Sequence, residues 1–147
     1  ERGIAVCAHL MAGLPGEDER HFLQSLDWAL SLPFKGLKFH NVYVPKATAL
    51  AAHYTAGLYH PLWRDEYIDT LCAALPRIPS SIVLHRLQSD PAPRELLAPT
   101  WASDKRGLLG DLRKALGARE LWQGKHADSP LVCPAVFFGA GGVSVDF

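Results

Sequence analysis

The chain has 147 residues, 48% hydrophobic and 20% charged, enough apolar material for one domain with a buried core and too much for a disordered chain. Fifteen basic residues balance fifteen acidic ones, so bulk charge gives no support to capture of a polyanion or an acidic membrane surface. The longest largely apolar stretch, Leu131 to Val143, is broken by Pro134 and several glycines and is shorter than the about 20 residues that cross a bilayer.

From Gly3 the run Ile4 to Ala12 is nearly all apolar and ends at Gly13-Leu14-Pro15-Gly16, the pattern of a strand buried on both faces and closed by a tight turn. Glu17 and Asp18 open a helix whose stripe is Phe22, Leu26 and Ala29 and which Pro33 stops. Gly36 starts a second strand, Leu37 to Val44, rich in aromatic and β-branched residues and ended by Pro45. Lys46 to Leu62 lacks a long period and reads as a structured loop with a short helical turn at Leu50, His53 and Tyr54. A second long helix starts at or just before Asp65, carries Tyr67, Leu71 and Leu75 beside Ile68 and Cys72, and closes at Pro76. Ile82 to Leu87 is a third strand, followed by a proline-rich connection. Ser103 or Asp104 caps a last helix with Leu108, Leu109, Leu112 and Leu116 as its stripe, weakened by Gly107 and Gly110 and ended or frayed at Gly117. Beyond Lys125 the pattern dissolves into short apolar runs, and residues 127–147 read as an irregular tail, disordered or non-native.

Strand, helix, strand, helix, strand is the order of crossovers that build a parallel sheet, hence an α/β protein. Three strands are too few to close a barrel. The chain also opens on Glu1-Arg2-Gly3, and its only methionine is Met11, so the expectation is a piece of a longer protein. Cys7, Cys72 and Cys133 stand more than sixty positions apart, which leaves no cysteine ligand cluster within the chain and fits a reducing, cytoplasmic setting.

In parallel sheets the working groups sit at the carboxyl ends of the strands and in the loops after them. Alternation places Leu37, Phe39 and Tyr43 towards the helices, and Lys38, His40, Val42 and Val44 on the opposite face. On the first strand it turns Ile4, Val6, Ala8 and Leu10 to the helices and Cys7, His9, Met11 and Gly13 away. His9, His40 and His85 thus lie near three strand ends and suit either acid–base work or zinc, although no HxH or HExxH spacing is present. The Gly13 to Gly16 turn is either a plain βα turn or a backbone surface that a ligand approaches closely. Arg86 could clamp a carboxylate or phosphate, or be an edge arginine paired with Asp90. Arg94, Trp101, Lys105 and Arg106, balanced by Glu95 and Asp104, read as a solvated helix start.

Taken together, several segments resemble radical S-adenosylmethionine (radical SAM) proteins. Val6 to Glu17 is similar to their fifth-strand segment, in which a GLPGE or GFPGE turn follows the strand, and Gly36 to His40 with the loop through Leu50 resembles the next strand. His85-Arg86-Leu87, Pro93 to Pro99, Trp101 to Arg106 and Trp122-Gln123-Gly124-Lys125 resemble the YhcC-type subgroup in particular. Pro45-Lys46-Ala47-Thr48 departs from the pattern by lacking a glycine before the threonine, and the tail after His126 matches nothing in it.

The resemblance implies the C-terminal part of a partial (β/α) TIM-type barrel, parallel strands with helices outside, over residues 1–88, plus a C-terminal helical extension over 89–126. It also implies S-adenosylmethionine and a 4Fe-4S cluster in the full-length parent, the cluster held by a CxxxCxxC loop that this chain lacks, so that neither is expected to bind the fragment alone. Reductive cleavage of S-adenosylmethionine to a 5′-deoxyadenosyl radical would be the parent's chemistry. Gly13, Leu14, Pro15 and Gly16 then lie by the adenosyl part of the cofactor, while His9, Lys38, His40, His85 and Arg86 line the substrate side. No catalytic or metal-binding residue is assigned. The expected partners are the missing N-terminal half and an unknown substrate. Enzymes of the wider superfamily modify transfer RNA, but the sequence shows no basic patch to support an RNA partner and no membrane segment. Two other readings stand beside this one: a histidine-based metal hydrolase barrel, and a non-catalytic docking or degenerate domain.

Overall fold

The computed structural model of the chain describes residues 3–127. Strand β1 (Cys7–Ala12), helix α1 (Glu19–Leu30), strand β2 (Gly36–Asn41), helix α3 (Arg64–Ala74) and strand β4 (Val83–Arg86) alternate along the chain, with strand β3 (Val44–Pro45) and helix α2 (Ala49–Thr55) inserted after β2. The sheet order is β1-β2-β4, and both pairings are parallel. Strand β5 (Leu96–Ala98) and helix α4 (Lys105–Ala118) complete the described chain.

Helices cover one face of this sheet. Asp18 caps α1 by accepting a hydrogen bond from the His21 N–H at 3.0 Å, and the stripe Phe22, Leu26 and Ala29 is buried as its spacing requires. Leu37 and Phe39 of β2 are wholly buried and meet α1 and α3, with Tyr67, Leu71 and Leu75 behind them. The stripe of α4, Leu108, Leu112 and Leu116, joins the same core against α3. Buried aliphatic and aromatic side chains of this size each contribute roughly 1.5–3 kcal/mol, so this interface is the chief source of stability.

Four expectations need correction. β1 starts only at Cys7, so Ile4 and Val6, expected towards the helices, precede it and are exposed. It is buried on one face alone: Ala8, Leu10 and Ala12 pack towards the helices, whereas His9 is exposed and Met11 is 47% exposed, because no layer within the described residues covers the other face. Strand β2 stops at Asn41, so alternation no longer governs the residues beyond it. Val42 and Val44 are buried in a second, smaller cluster with Ala51, Tyr59 and Ala98, and Tyr43 stays outside both cores. The proline-rich connection contains β5, which pairs antiparallel with β3, a long-range pairing that local pattern does not reveal. Finally, α4 runs through Gly117 to Ala118 because its buried stripe extends to Leu116. The tail reading falls, apart from Ala127, outside the described residues.

The two glycines of α4 play opposite parts. At Gly110 a methyl group would meet nothing, so Gly110→Ala is expected to raise stability by about 1 kcal/mol. At Gly107 the same methyl would collide with the Asp104 carboxylate that caps the helix by accepting from the Gly107 N–H at 2.9 Å, and it would also crowd the Arg64 guanidinium. Gly107→Ala is therefore expected to lose about 1 kcal/mol through the cap in spite of alanine's better helix propensity. Thermal unfolding of the two variants should move the midpoint in opposite directions.

Candidate functional site

Within the strands, the sheet face turned away from the helices gathers the side chains that alternation assigned to it, Cys7, His9, Met11, Lys38 and His40. Cys7, His9 and Met11 of β1 lie in register with Gly36, Lys38 and His40 of β2. The imidazoles of His9 and His40 stack with centroids 5.9 Å apart and planes 19° from parallel. Strand β4 adds to the set through an irregularity that alternation does not foresee. Leu84 pairs with Leu37 but Arg86, not His85, pairs with Lys38, so the register slips by one residue. Arg86 thereby stands beside Lys38. The His85 ring lies over Gly36, where a Cβ would come within 2.5 Å of His85 Nε2 and 3.3 Å of Cys7 Sγ.

All five residues expected on the substrate side thus share one sheet face. Arg86 forms no ion pair with Asp90 among the described residues, which corrects the plain reading of that arginine. No group of three or more His, Cys, Asp or Glu side chains among the described residues could hold a metal ion, so the histidine-based hydrolase reading finds no site there.

His40 has the most perturbed environment of the five. Burial holds its pKa below the ordinary histidine value, and the positive charges of Arg86, His9 and Lys38 lower it further. Its Nε2 is buried without a hydrogen-bond partner. A histidine whose folded pKa lies below its unfolded one contributes stability above the unfolded value of about 6.5, and this is lost as pH falls through that value towards the folded pKa. His40→Gln is therefore expected to flatten the acid limb of the stability curve below about pH 6.5, and a histidine titration by NMR should place His40 below the ordinary histidine value. An unchanged acid limb, with His40 titrating as an ordinary histidine, would contradict this environment.

The turn from Gly13 to Gly16 joins β1 to α1. Gly13 and Gly16 adopt φ of +86° and +80°, conformations that side chains disfavour, and the Glu17 N–H closes the turn onto the Leu14 carbonyl at 3.0 Å. Gly13 is pinned from outside. The Tyr59 hydroxyl donates to its carbonyl at 2.7 Å, and burial pushes the Tyr59 pKa up to about 12. A Cβ on Gly13 would also lie 3.0 Å from Leu62 Cγ. Leu62 is held in turn by the Trp101 indole, which donates to its carbonyl at 3.1 Å and stacks on Tyr67, whose hydroxyl donates to the Leu87 carbonyl at 2.7 Å. Trp101 is therefore half-buried in a relay of contacts running from the turn to the end of β4, rather than part of a solvated helix start.

Sequence reasoning passed over these supports. It also passed over Asn41 at the end of β2, whose buried carbonyl oxygen accepts from the Ser89 N–H at 3.0 Å and the Ser89 hydroxyl at 2.8 Å. Next to Ser89 in the chain, Gln88 is buried with Oε1 unpaired. Asn41, two residues beyond the buried Phe39 on the same side of β2, was the one signal available: a polar residue at a core-facing position needs a partner.

Comparison with known proteins adds the wider frame. Residues 34–117 match the family described as Radical_SAM C-terminal domain. The chain is 31% identical to the uncharacterized protein YtqA of Bacillus subtilis over 125 residues, 85% of this chain and 39% of that one. It is 30% identical to protein YhcC of Escherichia coli K12 over 134 residues, 91% of this chain and 43% of that one. The chain spans about two fifths of the length of these curated relatives. Among solved structures, the archaeal Elp3 of Methanocaldococcus infernus with an N-terminal deletion superposes with a TM-score of 0.65 at 19% identity, covering 81% of this chain and 28% of that one. This likeness shows a shared α/β fold.

Proposed function

Because the chain belongs to the Radical_SAM C-terminal domain family, with YhcC among its relatives, we propose that it is the C-terminal part of a radical SAM iron–sulfur enzyme of YhcC type. Its three parallel strands then form the last staves of a partial (β/α) barrel, completed by the upstream half of the parent. The observation that carries this reading is the bare sheet face: helices cover one side, while the other holds His9, Lys38, His40, His85 and Arg86 with no layer over it among the described residues. Among the described residues strand β1 also has an unpaired edge, where a preceding strand would dock.

The two cofactors make different demands on these residues. Cys7 and Cys72, the free cysteines of the described part, are not grouped with other ligands, and burial pushes the Cys72 thiol up. They do not fit a 4Fe-4S cluster, whose ligands belong to the upstream part of the parent. The turn suits S-adenosylmethionine better. At Gly16 a side chain would meet nothing within 4 Å, so the backbone there is open to close approach, and Gly13, Leu14, Pro15 and Gly16 are the residues that would lie along the adenosyl part. Reductive cleavage of S-adenosylmethionine supplies the radical in such an enzyme. This chain's residues would position the cofactor along the turn and line the chamber.

The reading is tested by anaerobic reconstitution with iron and sulfide. The full parent reading frame is expected to take up an iron–sulfur cluster, and the 147-residue chain none. A parent without a CxxxCxxC loop and without cluster uptake would overturn it in favour of a degenerate or docking domain.

A further inference from the structure

The chain is neutral as a whole, but this face is not. The three strands β1, β2 and β4 contain no aspartate or glutamate, and all fifteen acidic residues lie outside them. On the face away from the helices the strands bring together Lys38, Arg86 and three histidines. Lys38 and Arg86 sit side by side on adjacent strands, both half-buried, and neither forms an ion pair among the described residues. Some cations elsewhere are paired: Arg64 reaches Asp104 at 3.1 Å and Asp111 at 2.7 Å, Arg77 reaches Asp27 at 2.8 Å, and Arg119 is paired with Asp69. What sets Lys38 and Arg86 apart is that they are half-buried side by side on strands without a carboxylate. Gathering like charges costs stability, and the cost is offset when an anion occupies the site.

We propose that Lys38 and Arg86 form a clamp for an oxyanion of the substrate, with the His40 imidazole beside it. The guanidinium offers a planar pair of donors and the ammonium a mobile point charge, a combination suited to a carboxylate or a phosphate. Both groups present the same oxyanion chemistry. That the clamp acts on a substrate rests on the radical SAM reading of this face. That it binds oxyanions rests on the arrangement of the residues alone, so the two fail separately.

The test is an NMR titration of the 147-residue chain at constant ionic strength, following the His9 and His40 ring resonances as inorganic phosphate or, separately, acetate is added. Saturable binding is expected, with a dissociation constant on the order of millimolar. Lys38→Gln combined with Arg86→Gln should weaken it about tenfold or more, while Lys38→Arg, which keeps the charge, retains it. Lys114→Gln, on the exposed side of α4, should change nothing. Should the double variant not fold, Arg86→Gln alone is expected to weaken binding measurably. Preference for phosphate would assign a phosphorylated or nucleotide group to the substrate, and preference for acetate a carboxylate. Absence of saturation, or equal affinity in wild type and the glutamine variants, overturns the clamp. A parent that cleaves S-adenosylmethionine while this chain ignores both anions would remove the clamp and leave the radical SAM reading intact.

Discussion

Phe39→Ala is expected to lower the free energy of unfolding by about 3–5 kcal/mol, a large share of what a domain of this size commands. Phe39 lies on the central strand, is wholly buried, and meets Phe22 edge to face with ring centroids 5.3 Å apart and planes at 66°. Truncation removes the ring from the junction of the sheet with α1 and α3 and leaves a cavity that the flanking helices fill only in part. The neighbouring residue supplies the control. His40 faces the opposite side, outside the hydrophobic core and only half-buried, so His40→Ala is expected to cost well under half as much. Denaturant unfolding of both variants measures the contrast. Equal losses would mean that the bare face is packed after all, and the description of the site would have to change.

The second large effect is expected at Asn41. Asn41 and Ser89 are 1% and 2% exposed, and the Asn41 carbonyl oxygen accepts both the Ser89 N–H and the Ser89 hydroxyl. Asn41→Ala leaves two buried donors without an acceptor, a loss of about 2–3 kcal/mol. Ser89→Ala removes one donor and leaves the other bond in place, so about 1 kcal/mol is expected. Since these bonds tie the end of β2 to the segment after β4, amide exchange at Ser89 should accelerate in Asn41→Ala more than exchange in α1 does. Uniform acceleration throughout the chain would show a global loss rather than the loss of this tie.

The elements that could be read from the sequence are those whose signals are local. The Phe22, Leu26 and Ala29 stripe, a cap at Ser103 or Asp104 and a stripe of Leu108, Leu109, Leu112 and Leu116 each follow from spacing within a few turns; the structure caps with Asp104 and buries these stripes except at Leu109. Period two served equally well for Leu37 and Phe39 against Lys38 and His40. It failed at Val42, because the strand had already ended, and it could not show that a slipped register brings Arg86 beside Lys38. The pairing of β3 with β5 and the relay from Trp101 through Leu62 to Gly13 join residues some forty or more positions apart, and hydrophobic pattern carries no information on such contacts. The resemblance carried by the Val6 to Glu17 segment, by His85-Arg86-Leu87 and by the stretch through Trp101 to Arg106 did reach the family, since short local signatures can be read where the tertiary contacts around them cannot.

These contacts give the proposed turn surface a physical basis. Gly13 is fixed by Tyr59 and Leu62 while Gly16 is left open, so the backbone is held still and exposed at once. A ligand that binds along a rigid backbone loses less conformational entropy than one that must order it.

The most direct test is made on the full parent reading frame, purified and reconstituted without oxygen and supplied with a reductant and S-adenosylmethionine. The account predicts formation of 5′-deoxyadenosine and methionine that depends on the iron–sulfur cluster. A parent that binds the cluster and yet leaves S-adenosylmethionine intact under these conditions would contradict it.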